Sequence, residues 1–177
     1  NFPEVESVSK IDVSDFDLKL NKVSQEVIKA TKINTDSLIW NLLDFKILAG
    51  TPKEFINGKD NLVISKSFKE KYYANENPVG KTIYHISPYN DEPIEYIITG
   101  VIEDIPSNTH LRADVLLIQP SREEPLFKEG YGSFVQLYIA LKPNINVERF
   151  TSKMNKWYAE FVEYKNSTRE PFTYELQ

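Results

Sequence analysis

The chain has 177 residues, a formal net charge of −5, a pI near 5.2 and no cysteine. This length suits one domain, or two lobes sharing a core, and folding buries about 70% of the unfolded surface without a covalent staple. The missing cysteines exclude disulfides and thiolate metal sites. The acidic balance argues against binding a nucleic-acid backbone, and no run reaches the ~20 apolar residues that span a bilayer.

Taken in chain order, the opening NFPEVESVSKI lacks a basic segment followed by an apolar run, so it is no signal peptide. It reads as the interior of a longer protein, with targeting information in the flanks. Val5 to Ile11 and Glu26 to Ile33 read as short strands. In TDSLIWNLLDFKILAG, Leu38, Ile39, Leu42, Leu43 and Phe45 have the spacing of a short helix turning into a strand at Lys46 to Ala49, with Thr35 and Asp36 as caps. Gly50 and Pro52 open a polar loop. Leu62 to Ile64 is a brief strand. Ser65 caps a helix in which Phe68 and Tyr72 share a face, and Asn75 to Pro78 stops it. Strands follow at Thr82 to Ile86, Ile94 to Ile102 and Val115 to Gln119, the second rich in β-branched residues.

Phe134 to Leu141 alternates, with Val135, Leu137, Ile139 and Leu141 on one face and Gln136 and Tyr138 on the other. The clearest helix follows. Asn146 caps it, Glu148 sits in its first turn, and Val147, Phe150, Met154, Trp157, Phe161 and Tyr164 form its apolar stripe. FTYEL reads as a closing strand. Strands and helices mix without strict alternation, which makes the fold class α+β.

The stretch Asn77-Pro78-Val79-Gly80-Lys81-Thr82 ends like a phosphate-binding loop. That loop requires a glycine five residues before Gly80, where Asn75 stands, and it requires a strand before and a helix after, the reverse of this context. The structural reading is a turn in which Gly80 takes a positive φ and a β-branched side chain would clash. His85 lies in a strand and His110 in a loop near Asp104 and Asp114, too sparse for a metal site. Glu103-Asp104 and Glu123-Glu124 are adjacent pairs whose carboxylates diverge on a strand. No G-x-S-x-G elbow occurs. Asn166-Ser167-Thr168 matches a glycosylation sequon of low specificity. The 10 Tyr and 10 Phe fall mostly on apolar faces, as core rather than a sugar platform. The residues assign no catalytic, cofactor-binding or metal site and describe an α+β binding or mechanical module.

The order of the pieces carries a resemblance. NLVISKSFKEKYYANENPVGKTI, with Ser65, Phe68, Tyr72, Tyr73, Pro78, Gly80 and Lys81, precedes YIITGVIEDIPSNTHLRADVLLI, with Tyr96, Gly100, Val101, Asp104, Pro106, Asn108, Thr109 and His110. Together with FKILAGTP and FTYELQ, this pattern resembles the extracytoplasmic core domain of macrolide-exporter-type (MacB-like) ABC transporter permeases, in the group common in Bacteroidetes-type bacteria. Lys69 stands where alanine is usual, a surface departure.

The resemblance implies a two-lobed fold. A porter-like lobe is formed by both chain ends, Asn1 to Pro52 plus Ser133 to Gln177, and a mostly-β sabre-like lobe, Lys53 to Gly132, is inserted between them. The family domain begins before Asn1 and hangs between two membrane helices, at the periplasmic face of the bacterial inner membrane. Its implied partners are a second permease copy, a cytoplasmic ABC ATPase and a periplasmic adaptor or outer-membrane protein, with no cofactor. The implied role is non-catalytic: it transmits ATP-driven motion to export or release a substrate or to engage a partner. In this arrangement, Phe134 to Leu141 and Val147 to Tyr164 pack with Val5 to Ala49, and Trp157 is buried. The alternatives are a free solute- or carbohydrate-binding module using its aromatics and a nucleotide-using enzyme.

Overall fold

In the computed structural model, residues 2–55, 58–120 and 136–161 are described. The elements run β1 (Val5–Lys19), β2 (Ile28–Asp36), α1 (Ile39–Leu42), β3 (Ile47–Gly50), β4 (Asn61–Ser65), α2 (Lys66–Tyr73), β5 (Thr82–His85), β6 (Ile94–Ile102), β7 (Val115–Gln119), β8 (Gln136–Leu141) and α3 (Val147–Phe161). The mixture is α+β and mostly sheet. It forms two compact units, one of residues 1–6 and 140–177, the other of residues 7–139.

The larger unit is built on a ring of strands. The sheet order is β2-β7-β4-β6-β5-β1-β8, with β3 beside β6, and β1 also pairs with β2. That last pairing closes six strands on themselves, because β1 meets β5 on one side and β2 on the other. Pairs β2–β7 and β4–β6 are parallel, and β4–β7 and β5–β6 antiparallel. Phe16, Ile28, Leu62, Ile83, Ile98 and Val115 come from all six strands into one buried cluster, which therefore fills the ring. Phe68 and Tyr73 bring α2 into the same cluster.

A second cluster joins Ile11, Ile33, Val63, Ile102, Leu116 and Ile118 to Ile39 of α1. The strands thus bury both faces. In β4 every residue is buried, Leu62 and Ile64 inward and Val63 toward the second cluster. Such a strand reads as an unbroken apolar run.

Several element bounds differ from expectation. β1 continues to Lys19 instead of ending at Ile11, and β2 starts at Ile28 and ends at Asp36. The cause lies in β1 itself. Ser9 and Ile11 are buried on one face, Phe16 and Leu18 on the other, so simple alternation breaks in the middle of one continuous strand. α2 ends at Tyr73, before the Asn75–Pro78 stop, with Ala74 at a φ of +46°. Tyr138, expected opposite the core-facing residues of its strand, packs against the second cluster. Val135, Phe134, Tyr164 and FTYEL lie outside the described residues.

The smaller unit holds α3. Asn146 caps it, its Oδ1 accepting from the Arg149 amide at 2.8 Å. Phe2 meets Phe150 and Trp157 edge-on, with centroids 5.8 and 5.5 Å apart. Lys153 pairs with Glu4 at 2.6 Å, and the Lys142 amide donates to the Glu4 carbonyl. Phe150 is buried, whereas Trp157 is only partly so.

Candidate functional site

The two motif segments converge on the joint between α2 and β6. Ser65 Oγ accepts from the Phe68 amide at 3.2 Å, the cap its position implies. A second acceptor comes from the segment just after β6. Asp104 takes the Ser67 amide on Oδ1 at 2.9 Å and the Ser67 hydroxyl on Oδ2 at 2.6 Å. Burial pushes the Asp104 carboxyl up, but the two Ser67 bonds, the Lys66 charge and the Ser65 hydroxyl together outweigh it and hold the group below its ordinary range. Beside it, Glu103 receives Lys66 at 3.0 Å and Lys46 at 3.6 Å, and the Lys66 bond leads in lowering its pKa. Glu103 and Asp104 thus diverge to different tasks. Glu123 and Glu124 lie outside the described residues.

The Gly-Lys-Thr turn is occupied by its own backbone. Gly80 N–H donates to the Ile98 carbonyl at 2.8 Å, Lys81 N–H to the Pro78 carbonyl at 3.0 Å, and Val79 N–H to Asn77 Oδ1 at 3.1 Å. A phosphate cradle needs those amides free. Gly80 does take a positive φ, +86°, but no atom lies within 4 Å of where a Cβ would stand. The expected strain is therefore that of a side chain against its own backbone at this φ, with no packed neighbour adding to it. Lys81 forms an ion pair with Glu76 and lies 5.6 Å from the Tyr73 ring centroid. Burial pushes the Tyr73 phenol up to about 12.

Neither histidine finds a metal-like setting. His85 stacks on Phe16 at 4.2 Å, with Nδ1 2.9 Å from the Asp17 carbonyl. His110 stacks with Tyr138 at 5.8 Å and bonds its hydroxyl, which in turn donates to Gln136 at 3.2 Å. Asp114 instead accepts the Thr31 amide at 2.8 Å. Among the described residues no three His, Asp or Glu side chains are grouped to hold a metal ion. A cleft of about 70 Å³ lies between Lys29, Ser67, Phe68, Lys71, Tyr72 and Asp114. Small-molecule pockets run to roughly 300–1,000 Å³.

The remaining motif residues shape backbone. A Cβ at Gly100 would stand 2.9 Å from the Pro52 ring. The Thr109 amide donates to the Pro106 carbonyl at 3.2 Å. Thr109 Oγ1 also donates to the Leu111 carbonyl at 2.8 Å, and that loop delivers Leu111 to the second cluster. Sequence reasoning missed a buried polar strut at Asn61 and the cross-strand bonds of the partly buried Asp36. Asn61 Nδ2 donates to the carbonyls of Pro52 at 2.8 Å and Glu54 at 2.9 Å. Asp36 accepts from Ser9 Oγ at 3.0 Å, from the Leu38 amide at 2.9 Å and from the Lys10 amide at 3.3 Å. Asp36 bonds the Leu38 amide just ahead of α1, but Leu38 is the N-cap and no side chain caps the helix, so neither expected cap residue fills that role; Thr35 is a buried strand residue bonded to Ser9. Asn61 next to an apolar run is the one local signal that marked its strut.

These side chains cap, turn and close-pack within a fold of the α+β class. The chain belongs to the MacB-like periplasmic core domain family, whose model matches residues 1–157. Two crystal structures share the fold. One is a domain from a protein named as a permease of Porphyromonas gingivalis, with a TM-score of 0.69, 20% identity, and coverage of 90% of this chain and 73% of that one. The other is the periplasmic region of MacB from Actinobacillus actinomycetemcomitans, with a TM-score of 0.60, 17% identity, and coverage of 90% and 69%. No curated protein matches the sequence.

Proposed function

We propose that this is the non-catalytic extracytoplasmic domain of an ABC transporter permease, relaying ATP-driven movement across the inner membrane to a substrate or an extracytoplasmic partner. The family match over residues 1–157 is the observation that carries this reading. The use of the motif residues as caps and turns supports it, since a lever requires stiff joints and no reactive group. No described helix is long and apolar enough to cross a membrane, so the anchor would be supplied by flanking helices. A second permease copy, a cytoplasmic ATPase and a periplasmic adaptor or outer-membrane protein complete the proposed assembly.

The lobe division, 1–52 plus 133–177 against 53–132, belongs to the same proposal. Strands β1 and β2 from one lobe share a ring with β4 to β7 from the other, so motion would be carried through the ring as a stiff body.

These 177 residues contain no cysteine, so a cysteine introduced here is the single labelling site of the domain, with any cysteine elsewhere in the transporter replaced beforehand. Spin labels on Val23→Cys in the assembled full-length transporter should show a changed inter-copy distance distribution between nucleotide-free and ATP-bound states. The same distribution in both states, in a preparation that still transports, would sink the lever reading. Micromolar ATP binding to this domain, lost on Lys81→Ala, would favour the enzyme alternative instead.

A further inference from the structure

Tyr89 stands apart from every other described aromatic residue. It is 93% exposed, whereas no other Phe, Tyr or Trp from Phe2 to Tyr158 whose side chain is described is as much as 36% exposed. It sits at the tip of the β5–β6 hairpin, in the turn Ser87-Pro88-Tyr89-Asn90. The Asn90 amide donates to the Ser87 carbonyl at 3.3 Å, and the Tyr89 amide to Ser87 Oγ at 3.3 Å. Proline at the second position of such a turn fixes its geometry in advance. The ring is therefore presented in solvent on an ordered support.

The hairpin's own charges have one sign, and Lys22 from the end of β1 is the cation set against them, on Glu95. Residues 82–111 contain no Lys or Arg and five acids: Asp91, Glu92, Glu95, Glu103 and Asp104. Glu95 pairs with Lys22 at 2.5 Å, Glu103 with Lys66 and Lys46, and Asp104 is taken by Ser67. Among the described residues, Asp91 and Glu92 pair with no cation, and both are exposed beside Tyr89. Ile94, 37% exposed, extends the apolar part of the tip.

We propose that this hairpin tip is a docking knob for an extracytoplasmic protein whose surface offers an aromatic-accepting pocket rimmed by Lys or Arg. Tyrosine supplies large contact area with few rotatable bonds, so little entropy is lost when it is seated. Exposed carboxylates next to it that form no ion pair steer a basic partner and set orientation. The same charges are repelled by an anionic bilayer surface. A sugar platform would call for more than one exposed ring, and the tip has one.

The inference rests on the extracytoplasmic placement proposed above, and the test separates the two. In cells with an intact inner membrane, Tyr89→Cys in the full-length protein should react with a membrane-impermeant maleimide; no reaction overturns the placement and the docking proposal together. A photoreactive benzoylphenylalanine is then placed at position 89 in the native host, with the same probe at Val23, itself 85% exposed, as the comparison. The expected result is a discrete adduct with a different protein at position 89 and not at 23, its cross-linked peptide bearing Lys or Arg. Asp91→Lys with Glu92→Lys should cut its yield about tenfold or more without moving the melting temperature, because both side chains are exposed. Labelling of Tyr89→Cys with no adduct, a lipid adduct, an adduct to a second copy of this chain, or a protein adduct indifferent to charge reversal would each overturn the docking proposal and leave the placement standing.

Discussion

Gly50 and Gly80 both adopt positive φ, +80° and +86°, yet a side chain meets different obstacles at each. At Gly80 the space is open, so Gly80→Val is penalised through the backbone alone, by about 1–2 kcal/mol. At Gly50 a Cβ would stand 2.2 Å from the Thr99 carbonyl oxygen, and β3 would have to part from β6. Gly50→Ala should therefore cost about 2–5 kcal/mol, more than the bulkier change at Gly80. Lys81→Ala should be nearly silent, since its ion pair with Glu76 is solvent-exposed. Thermal unfolding ranks the three, with about 2–4 °C expected per kcal/mol in a chain of this size. A Gly80 variant less stable than the Gly50 variant would contradict this account.

At the level of elements, α2 is held at its N-terminus by two acceptors, Ser65 from its own chain segment and Asp104 from the segment just after β6. Folding depresses the Asp104 and Glu103 pKa values. For a depressed carboxylate, the stabilising contribution is complete above the unfolded pKa, about 3.9 for Asp and 4.3 for Glu, and is lost as pH falls through the folded value. Asp104→Asn should lower the melting temperature at pH 7 and flatten its fall below about pH 4. Melts between pH 3 and 7 check this; an acid limb as steep as that of the unaltered protein would assign the acid sensitivity to other groups. Ser65→Ala should cost about 1 kcal/mol and change the pH profile less than Asp104→Asn, because Asp104 keeps its Ser67 bonds and loses only the smaller Ser65 contribution to its lowered pKa.

At the level of the molecule, the ring interior is where apolar burial concentrates. Phe16 is 1% exposed, stacked by His85, with the Lys32 ammonium 4.6 Å from its centroid. Phe16→Ala should cost about 3–5 kcal/mol in urea unfolding, as expected for truncating a buried aromatic. Trp157→Ala should cost less, roughly 1–2 kcal/mol, because the indole is only partly buried against Phe2. Equal costs would mean that Trp157 is seated as deeply as Phe16. The full burial predicted for Trp157 came from its central place in the apolar stripe of α3. A stripe reports which way a side chain faces, not how much of the protein lies over it.

Local chemistry was legible without coordinates wherever it acts over a few residues. The Ser65 and Asn146 caps, the β-branched run of β6, the apolar run of β7 and the positive φ of Gly80 each depend on neighbours in the chain. The same proximity made the phosphate-loop reading untenable, since Asn75 and the order of helix and strand are local facts. The signature residues likewise pointed to the family before any fold was known. Tertiary structure alone decided that β1 pairs with both β2 and β5 and so closes a ring, that β1 changes its buried face partway along, and that Asp104 reaches back to cap α2. Each of these joins residues far apart in sequence: 37 positions separate Ser67 from Asp104, and 67 separate Leu18 from His85. Short-range periodicity carries no information about such partners. They are selected by burial and hydrogen-bond satisfaction, which act between segments only once the chain has brought them together.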